Sequence, residues 1–306
     1  MMNETRAPSK LESLEQALER IESGMTVALG GWIFHSQPMA LVRGIIRRGL
    51  KDLRLIPAPG SIAPDLLIAA GCVRETACVF ISFEHLGLAP GFRRAAQDGR
   101  IEVRELDGPG LAGGLRAAAC DLPYGLIPDL GTDLPKVNPR DYRPARIQEG
   151  GRPLLEVPAI HPDIALLHGQ GADAMGNLHY RGAGFFDMLL AQAADTVIAS
   201  VDRLVPESEI RAAAHRTKVP AALVDAVVVA PYGAHPAASA GVYEFDEAHL
   251  RRYVRAHRDA DSLQRYLREF VHEPEDQAGY LDRIGGGTLA ALATGDAAHG
   301  TAGAGS

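Results

Sequence analysis

A short apolar run that ends in paired glycines sets the terms for this chain. Thr26-Val27-Ala28-Leu29 leads into Gly30-Gly31, and beyond Pro38 the residues Leu41, Val42, Ile45 and Ile46 recur at helical spacing. The pattern predicts a buried strand, a tight turn and an amphipathic helix. Proline suits a first helical turn, where its missing N–H costs nothing. Adjacent glycines reach backbone conformations closed to other residues and let a ligand approach main-chain N–H groups. In α/β sheets, ligands gather where a strand's carboxyl end meets a helix N-terminus. A tight turn with no ligand would satisfy the same residues.

The same beat recurs. Leu53–Pro57, Glu75–Phe83, Ile101–Leu106, Leu154–Val157, Asp163–Leu167, Thr196–Val201 and Val224–Val229 read as strands, several of them almost wholly apolar. Strands of that kind belong to a parallel sheet covered on both faces. Between them, Ser13–Glu22, Pro38–Arg48, Pro64–Ala70, the Pro90-initiated stretch to Gly99, Leu111–Cys120 and Phe185–Ala194 read as helices, with a turn at Asp107–Gly110. Ala248 to Tyr280 is helical in pattern, and Pro123–Gly151, rich in proline and glycine, predicts a long irregular loop. The expectation is a single α/β domain, doubly wound, with a mostly parallel sheet and helices on both faces. It spans residues 11–290, between a disordered N-terminus (1–10) and a disordered Gly/Ala-rich tail (291–306).

Composition removes several function classes. Hydrophobic residues make up 46% of the 306 residues, enough for a large core. The net charge is -7 and no Lys/Arg cluster tracks a phosphate backbone, so nucleic acid is not an expected partner. No apolar run is long enough to cross a membrane, and the polar start, Met1–Lys10, lacks a secretory leader. The cysteines, Cys72, Cys78 and Cys120, are odd in number and match no zinc spacing. They predict small buried thiols in a reducing cytoplasm.

Chemistry-bearing residues cluster at the predicted strand ends. His168-Gly-Gln-Gly-Ala-Asp173-Ala satisfies a dinucleotide fingerprint in letters, but turn residues rather than a helix follow it. Asp173 and Asn177 flank Gly176 and suit either a tight corner or a loop at a site mouth. His235, locked before Pro236, is either a general base or carboxylate binder, or a structural histidine. Glu84, just past a strand end, is the one candidate nucleophilic carboxylate, beside His85; capping is its alternative role. Glu105 and Asp107, at another strand end, read as solvated. Neither a serine-hydrolase elbow nor a phosphate-binding P-loop is present.

Several segments together resemble one family. They are Ala28-Leu29-Gly30-Gly31 with Pro38, Leu88 to Arg94, Val157-Pro158-Ala159, and Pro162 to Ala165 leading into His168. The most specific is Val224 to Pro236, followed by Gly241-Val242-Tyr243 and Asp246. From about Leu14 to Gly285 the chain resembles the α subunit of family I CoA-transferases, that of glutaconate CoA-transferase most closely. The resemblance implies a heteromer, (αβ)n, whose β chain carries the catalytic glutamate. That glutamate forms an enzyme–CoA thioester by way of a mixed anhydride. Coenzyme A thioester enters as substrate, and no cofactor is held permanently. The α chain would contribute part of the pocket, with Gly30, Gly31, Ser36, His85 and His235 as substrate-binding or oxyanion-stabilising residues. Arg93, Arg94 and Arg181 are candidates for reading the acceptor carboxylate, since guanidinium forks match carboxylates; surface salt bridges are the alternative. Two further readings remain. Ring-opening CoA-thioester hydrolases look similar, but many carry an acid where this chain has Gly108. A homo-oligomeric acyl-CoA-binding protein without catalysis is the other.

Overall fold

The computed structural model describes residues 8–146 and 151–294. In the first part strand and helix alternate as expected: α1 (Leu14–Leu18), β1 (Thr26–Leu29), α2 (Met39–Arg47), β2 (Leu53–Pro57), α3 (Ile62–Ala69), β3 (Val73–Cys78), α4 (Pro90–Gln97), β4 (Glu102–Glu105) and α5 (Gly108–Ala119). Strand β3 stops at Cys78 rather than Phe83. Beyond it the chain leaves the ladder, and Ile81 and Ser82 bridge to Gly60 and Leu88 instead. Asp107–Gly110 is not a free turn. Asp107 is the N-cap of α5, its Oδ1 accepting from the Gly110 N–H at 2.7 Å.

The supposed irregular loop contains a second, small sheet. β5 (Tyr124–Pro128), α6 (Leu134–Val137), β6 (Arg143–Pro144) and β7 (Leu154–Pro158) follow α5, and the strands pair antiparallel in the order β5-β7-β6. Prolines hid β5 and β6, edge strands in which proline is tolerated; β7 was expected as a buried parallel strand and is instead the centre of this antiparallel sheet. Ile127, Leu155 and Val157 turn inward, and buried Tyr142 ties the layer to Asp107 through its hydroxyl at 2.8 Å.

The remaining elements are β8 (Ile164–Ala172), β9 (Leu178–His179), α7 (Asp187–Ala193), β10 (Thr196–Leu204), α8 (Glu207–Ala212), β11 (Thr217–Val219), β12 (Ala226–Val229), α9 (Glu247–Ala256), α10 (Ala260–Leu267), α11 (Gln277–Ile284) and α12 (Gly286–Leu292). β8 and β10 run past their expected ends at Leu167 and Val201. The main sheet has 9 strands, with β12-β10-β8-β1-β2-β3-β4 all parallel; β9 and β11 extend the far half of β8 antiparallel. Alternate residues feed two cores. Val27, Leu29, Leu55, Leu166 and Val228 pack under α2, α3 and the C-terminal helices. Ala28, Ile56, Leu167, Ala199 and Val227 pack under α5 and α7. Both faces are covered, which makes this a doubly wound α/β domain.

Most of the termini expected to be disordered lies outside the described residues. Of the N-terminal stretch, Lys10 is held: its Nζ donates to the carbonyls of Ala221 and Val224, both at 2.6 Å. Ala293, within the expected tail, bridges to Tyr243. No helix among the described residues is long and apolar enough to cross a membrane.

Candidate functional site

The strand order locates the site. From β1 the chain builds outward through β2, β3 and β4; β8, β10 and β12 then fill the other side of β1. The order therefore reverses between β1 and β8, and open α/β sheets bind ligands outside the carboxyl ends at that point. Gly30 and Gly31 leave β1 there, and His168 and Gln170 stand in the second half of β8.

Both glycine N–H groups are already engaged. Gly30 donates to the Leu166 carbonyl at 2.9 Å, and Gly31 to Asp187 Oδ1 at 2.8 Å. The Tyr180 hydroxyl donates to Asp187 Oδ2 at 2.8 Å. Burial pushes the Asp187 carboxyl up to about 6, against the opposing pull of these two hydrogen bonds and of His168. The glycines thus bring the backbone against a buried carboxylate, and the expected oxyanion role for their N–H groups gives way to that packing. A Cβ on Gly30 would lie 2.7 Å from both Asp187 Oδ1 and Leu167 Cδ2.

Next to this lies a buried polar chain. His168, wholly buried, sets Nδ1 2.9 Å from Ser200 Oγ and Nε2 3.3 Å from Asp202 Oδ2. Nε2–H is the donor to the carboxylate, and Nδ1 lies against the serine hydroxyl, which also reaches the Leu167 carbonyl at 3.3 Å. Ser239 Oγ also donates to Asp202 Oδ2, at 2.5 Å. Gln170 Nε2 reaches Ser239 Oγ at 3.1 Å and Ser36 Oγ at 3.3 Å, and its Oε1 accepts from the Arg181 N–H at 2.9 Å. Ser200, His168 and Asp202 have the composition of a nucleophilic triad, but Ser200 is wholly buried within β10. No substrate reaches its hydroxyl, and the three residues act as a strut between β8 and β10.

A cavity of about 190 Å³ opens beside the strut, lined by Gln170, Arg181, Asp202, Arg203, Tyr232 and Val242 among others. Tyr232 holds a left-handed backbone (φ +52°) and stacks on Tyr243 with ring centres 4.5 Å apart. Gly233 follows because a Cβ there would meet the Ala230 carbonyl at 2.6 Å and His168 Cε1 at 2.9 Å. Aromatic side chains edge the same end of the sheet: Trp32 stacks on Phe185 at 5.2 Å and meets Phe80 edge-on at 6.4 Å, with Phe80 and Phe185 exposed. A larger groove, of about 660 Å³, is lined by Thr26, Arg54 and Arg74 at the opposite, amino ends of β1, β2 and β3. It lies away from the reversal point.

The other expected residues fare differently. Ser36 belongs to the buried chain. Arg181 lines the cavity, while Arg94 donates to the His257 carbonyl at 2.7 Å and Arg93 sits exposed on α4. His235 is structural: wholly buried, it lies 2.7 Å from the Tyr280 hydroxyl and 3.2 Å from Asp246 Oδ2. Burial holds its ring below the usual histidine range despite Asp246, which suits neither a general base nor a carboxylate binder. His85 is half-exposed and faces Glu247 at 3.4 Å. Glu84 is exposed in a short turn with φ +49° and has no part in the polar chain. Sequence reading missed Asp187, Ser200, Asp202 and Ser239. One signal was present: His168 with Gln170, and Ser200 with Asp202, are polar residues at a period of two at the ends of apolar strands.

These features define one chain of an α/β enzyme with its ligand crevice at the reversal of strand order. The coenzyme A transferase family profile matches residues 11–230, and the chain belongs to that family, as a chain of the α type. The α-type chain of 3-oxoadipate CoA-transferase from Pseudomonas knackmussii is 31% identical over 284 residues, covering 91% of this chain and 99% of that one. The cholesterol ring-cleaving hydrolase IpdA subunit of Mycobacterium tuberculosis is 35% identical over 277 residues, covering 87% and 92%. An uncharacterised Archaeoglobus fulgidus protein is 34% identical over 284 residues, but this chain spans only 62% of its length. Among solved structures, glutaconate coenzyme A-transferase from Acidaminococcus fermentans superposes with a TM-score of 0.86 at 26% identity, covering 94% of this chain and 96% of that one.

Proposed function

We propose that the chain is the α subunit of a heteromeric, cytoplasmic CoA-transferase, which moves CoA between a small acyl-CoA, dicarboxylic acyl groups included, and a free carboxylate. In this scheme a glutamate of the partner β chain attacks the thioester carbonyl, and CoA thiolate leaves. The thiolate then attacks the glutamyl carbonyl of the mixed anhydride, which releases the first carboxylate and leaves CoA on the enzyme. An acceptor carboxylate reverses the sequence.

The observation that carries this reading is a shaped pocket at which, among the described residues, no carboxylate is exposed for attack. Asp187 is wholly buried and held by Gly31 and Tyr180; Asp202 is 8% exposed, its Oδ2 held by His168 and Ser239 and its Oδ1 buried without a partner. The nucleophile then has to come from another chain. The exposed aromatic edge at Trp32, Phe80 and Phe185 suits coverage by that chain, since contiguous apolar patches mark interaction sites. Arg181, at the cavity, suits recognition of the acceptor carboxylate.

The ring-cleaving relative supports a second reading as hydrolase. Against it, Asp107 is tied into the α5 cap, and Gly108 faces open space with no acid in its place. The test is co-purification from the native host, followed by incubation of the complex with acyl-CoA and chemical trapping. A transferase passes CoA to an added carboxylate and carries the trapped label on the β chain. Release of free CoA without acceptor indicates the hydrolase. A label on this chain overturns the reading, and purification without a second chain but with bound CoA indicates a binding protein.

A further inference from the structure

The groove of about 660 Å³ at the amino ends of β1, β2 and β3 carries a charge pattern of its own. Thr26, Arg54, Glu75 and Glu102 are register partners across β1 to β4, share one face of the sheet and line the groove. Its acids are already engaged. Arg104 meets Glu75 at 3.1 Å and also pairs with buried Asp141, and Arg140 meets Glu102 at 3.1 Å. Two lining cations remain, Arg54 and Arg74, and neither has a hydrogen bond or ion pair among the described residues. Counting Asp141, four arginines stand against three carboxylates, a positive surplus in a chain of net charge -7. Arg54 is partly buried, and a guanidinium taken partly out of water is disfavoured unless an anion meets it. Arg74 reaches the groove through a bulge. The register pairs Leu53 with Val73 and then Arg54 with Glu75, so Arg74 is an extra residue in β3. Successive strand residues point to opposite faces, and a bulge re-aims one of them. Here Arg74 lines the same groove as its neighbour Glu75.

We propose that this groove is a second ligand site, which takes a small anion or molecule bearing a phosphate or diphosphate group. A carboxylate fills one guanidinium fork with its two oxygens. A phosphoryl group offers three acceptor oxygens and more charge. It can therefore engage forks from two neighbouring strands, ~4.8 Å apart, together with the Thr26 hydroxyl. Small-molecule sites span about 300–1,000 Å³, so the groove leaves room for an organic body on the phosphate. The site is separate from the crevice. Thr26 and Gly30 lie at opposite ends of β1, about 13 Å apart at ~3.3 Å per residue. Bound there, the ligand bridges β2 and β3 and stabilises the native chain by mass action. The site stands whatever reaction the crevice performs.

Calorimetric titration and thermal unfolding of the full chain at low ionic strength test this, with inorganic diphosphate and ADP as probes. Wild type is expected to bind saturably and to gain melting temperature as the probe concentration rises. Arg54→Gln and Arg74→Gln, each checked for folding by circular dichroism, should weaken binding about 10–100-fold, as loss of a hydrogen bond to a charged group does. The double variant should bind neither probe. Arg268→Gln removes an exposed charge elsewhere and should leave binding as it was. Either probe bound through Arg54 and Arg74 supports the proposal: diphosphate assigns the site to the free anion, ADP to its esters. Saturable binding of neither probe overturns it. So does binding that Arg54→Gln and Arg74→Gln leave intact, or that Arg268→Gln weakens equally. Succinate bound as tightly as diphosphate overturns the assignment to phosphate.

Discussion

Gly30 has room for a hydrogen and nothing larger. Gly30→Ala drives a Cβ into Asp187 and Leu167, and overpacking of this kind costs about 1–3 kcal/mol, to be read from the urea midpoint. The paired glycines were legible as a site marker, but their partner was not: Asp187 lies far along the chain, and only the fold brings it to Gly31. Its titration is testable. With a carboxyl raised to about 6, the folded state binds a proton that the unfolded chain has already released, so this residue's contribution to stability falls as pH rises from about 4 through 6. Asp65, also raised to about 6 by burial, acts in the same direction, whereas His257, lowered to about 4 by burial, opposes both. Asp187→Asn should therefore gain melting temperature relative to wild type as pH rises across that window, then hold level; a constant difference would exclude the titration. For Arg181→Ala, loss of a charge-assisted contact predicts a roughly 10–100-fold rise in KM for the carboxylate acceptor with kcat little changed. Arg181→Lys should recover part of it.

At the scale of elements, strands were read well where they are apolar throughout and poorly where polar residues are buried. β8 was expected to stop at Leu167, because His168 and Gln170 look like loop residues; Ser200, Asp202, Ser239 and Ser36 satisfy them, and the ladder continues to Ala172. Such compensation involves residues distant in sequence and cannot be seen locally. The amino end of α4 shows the same economy. Buried Asp65, on α3, accepts from the N–H groups of Gly91 and Phe92 at 3.2 and 2.6 Å, and from the Tyr253 hydroxyl at 2.6 Å. One carboxylate thereby joins α3, α4 and α9. Tyr253→Phe leaves the ring in place and removes one donor to the charge; about 1.5–3 kcal/mol of stability should go with it, measured by denaturant unfolding.

At the scale of the molecule, the alternation of strand and helix was enough to foresee a doubly wound sheet, and the glycines mark the end of β1, where the strand order reverses. The second sheet was not foreseen, because prolines and short strands carry little periodic signal. Burial at the site is itself a whole-molecule property: the chain shapes a cavity and buries the carboxylates nearest it, Asp187 and Asp202. Assayed alone it should exchange no CoA, and adding the β chain should restore exchange in proportion to complex formed. Steady exchange by the free chain would return attention to Glu84.

The three thiols are not equivalent, and the difference provides a ready-made reporter. Cys72 and Cys78 are buried, and burial pushes the Cys78 thiol up to about 11, so neither should react with a mild alkylating reagent in the folded chain. Cys120 is exposed at the end of α5, two residues before Leu122 and the apolar sheet face. A fluorophore attached there should mark every molecule once, beside the exposed side chains of Leu122 and Leu126. Its emission should then report any change of surroundings at that face as a partner chain is added, in a protein whose sequence has not been altered.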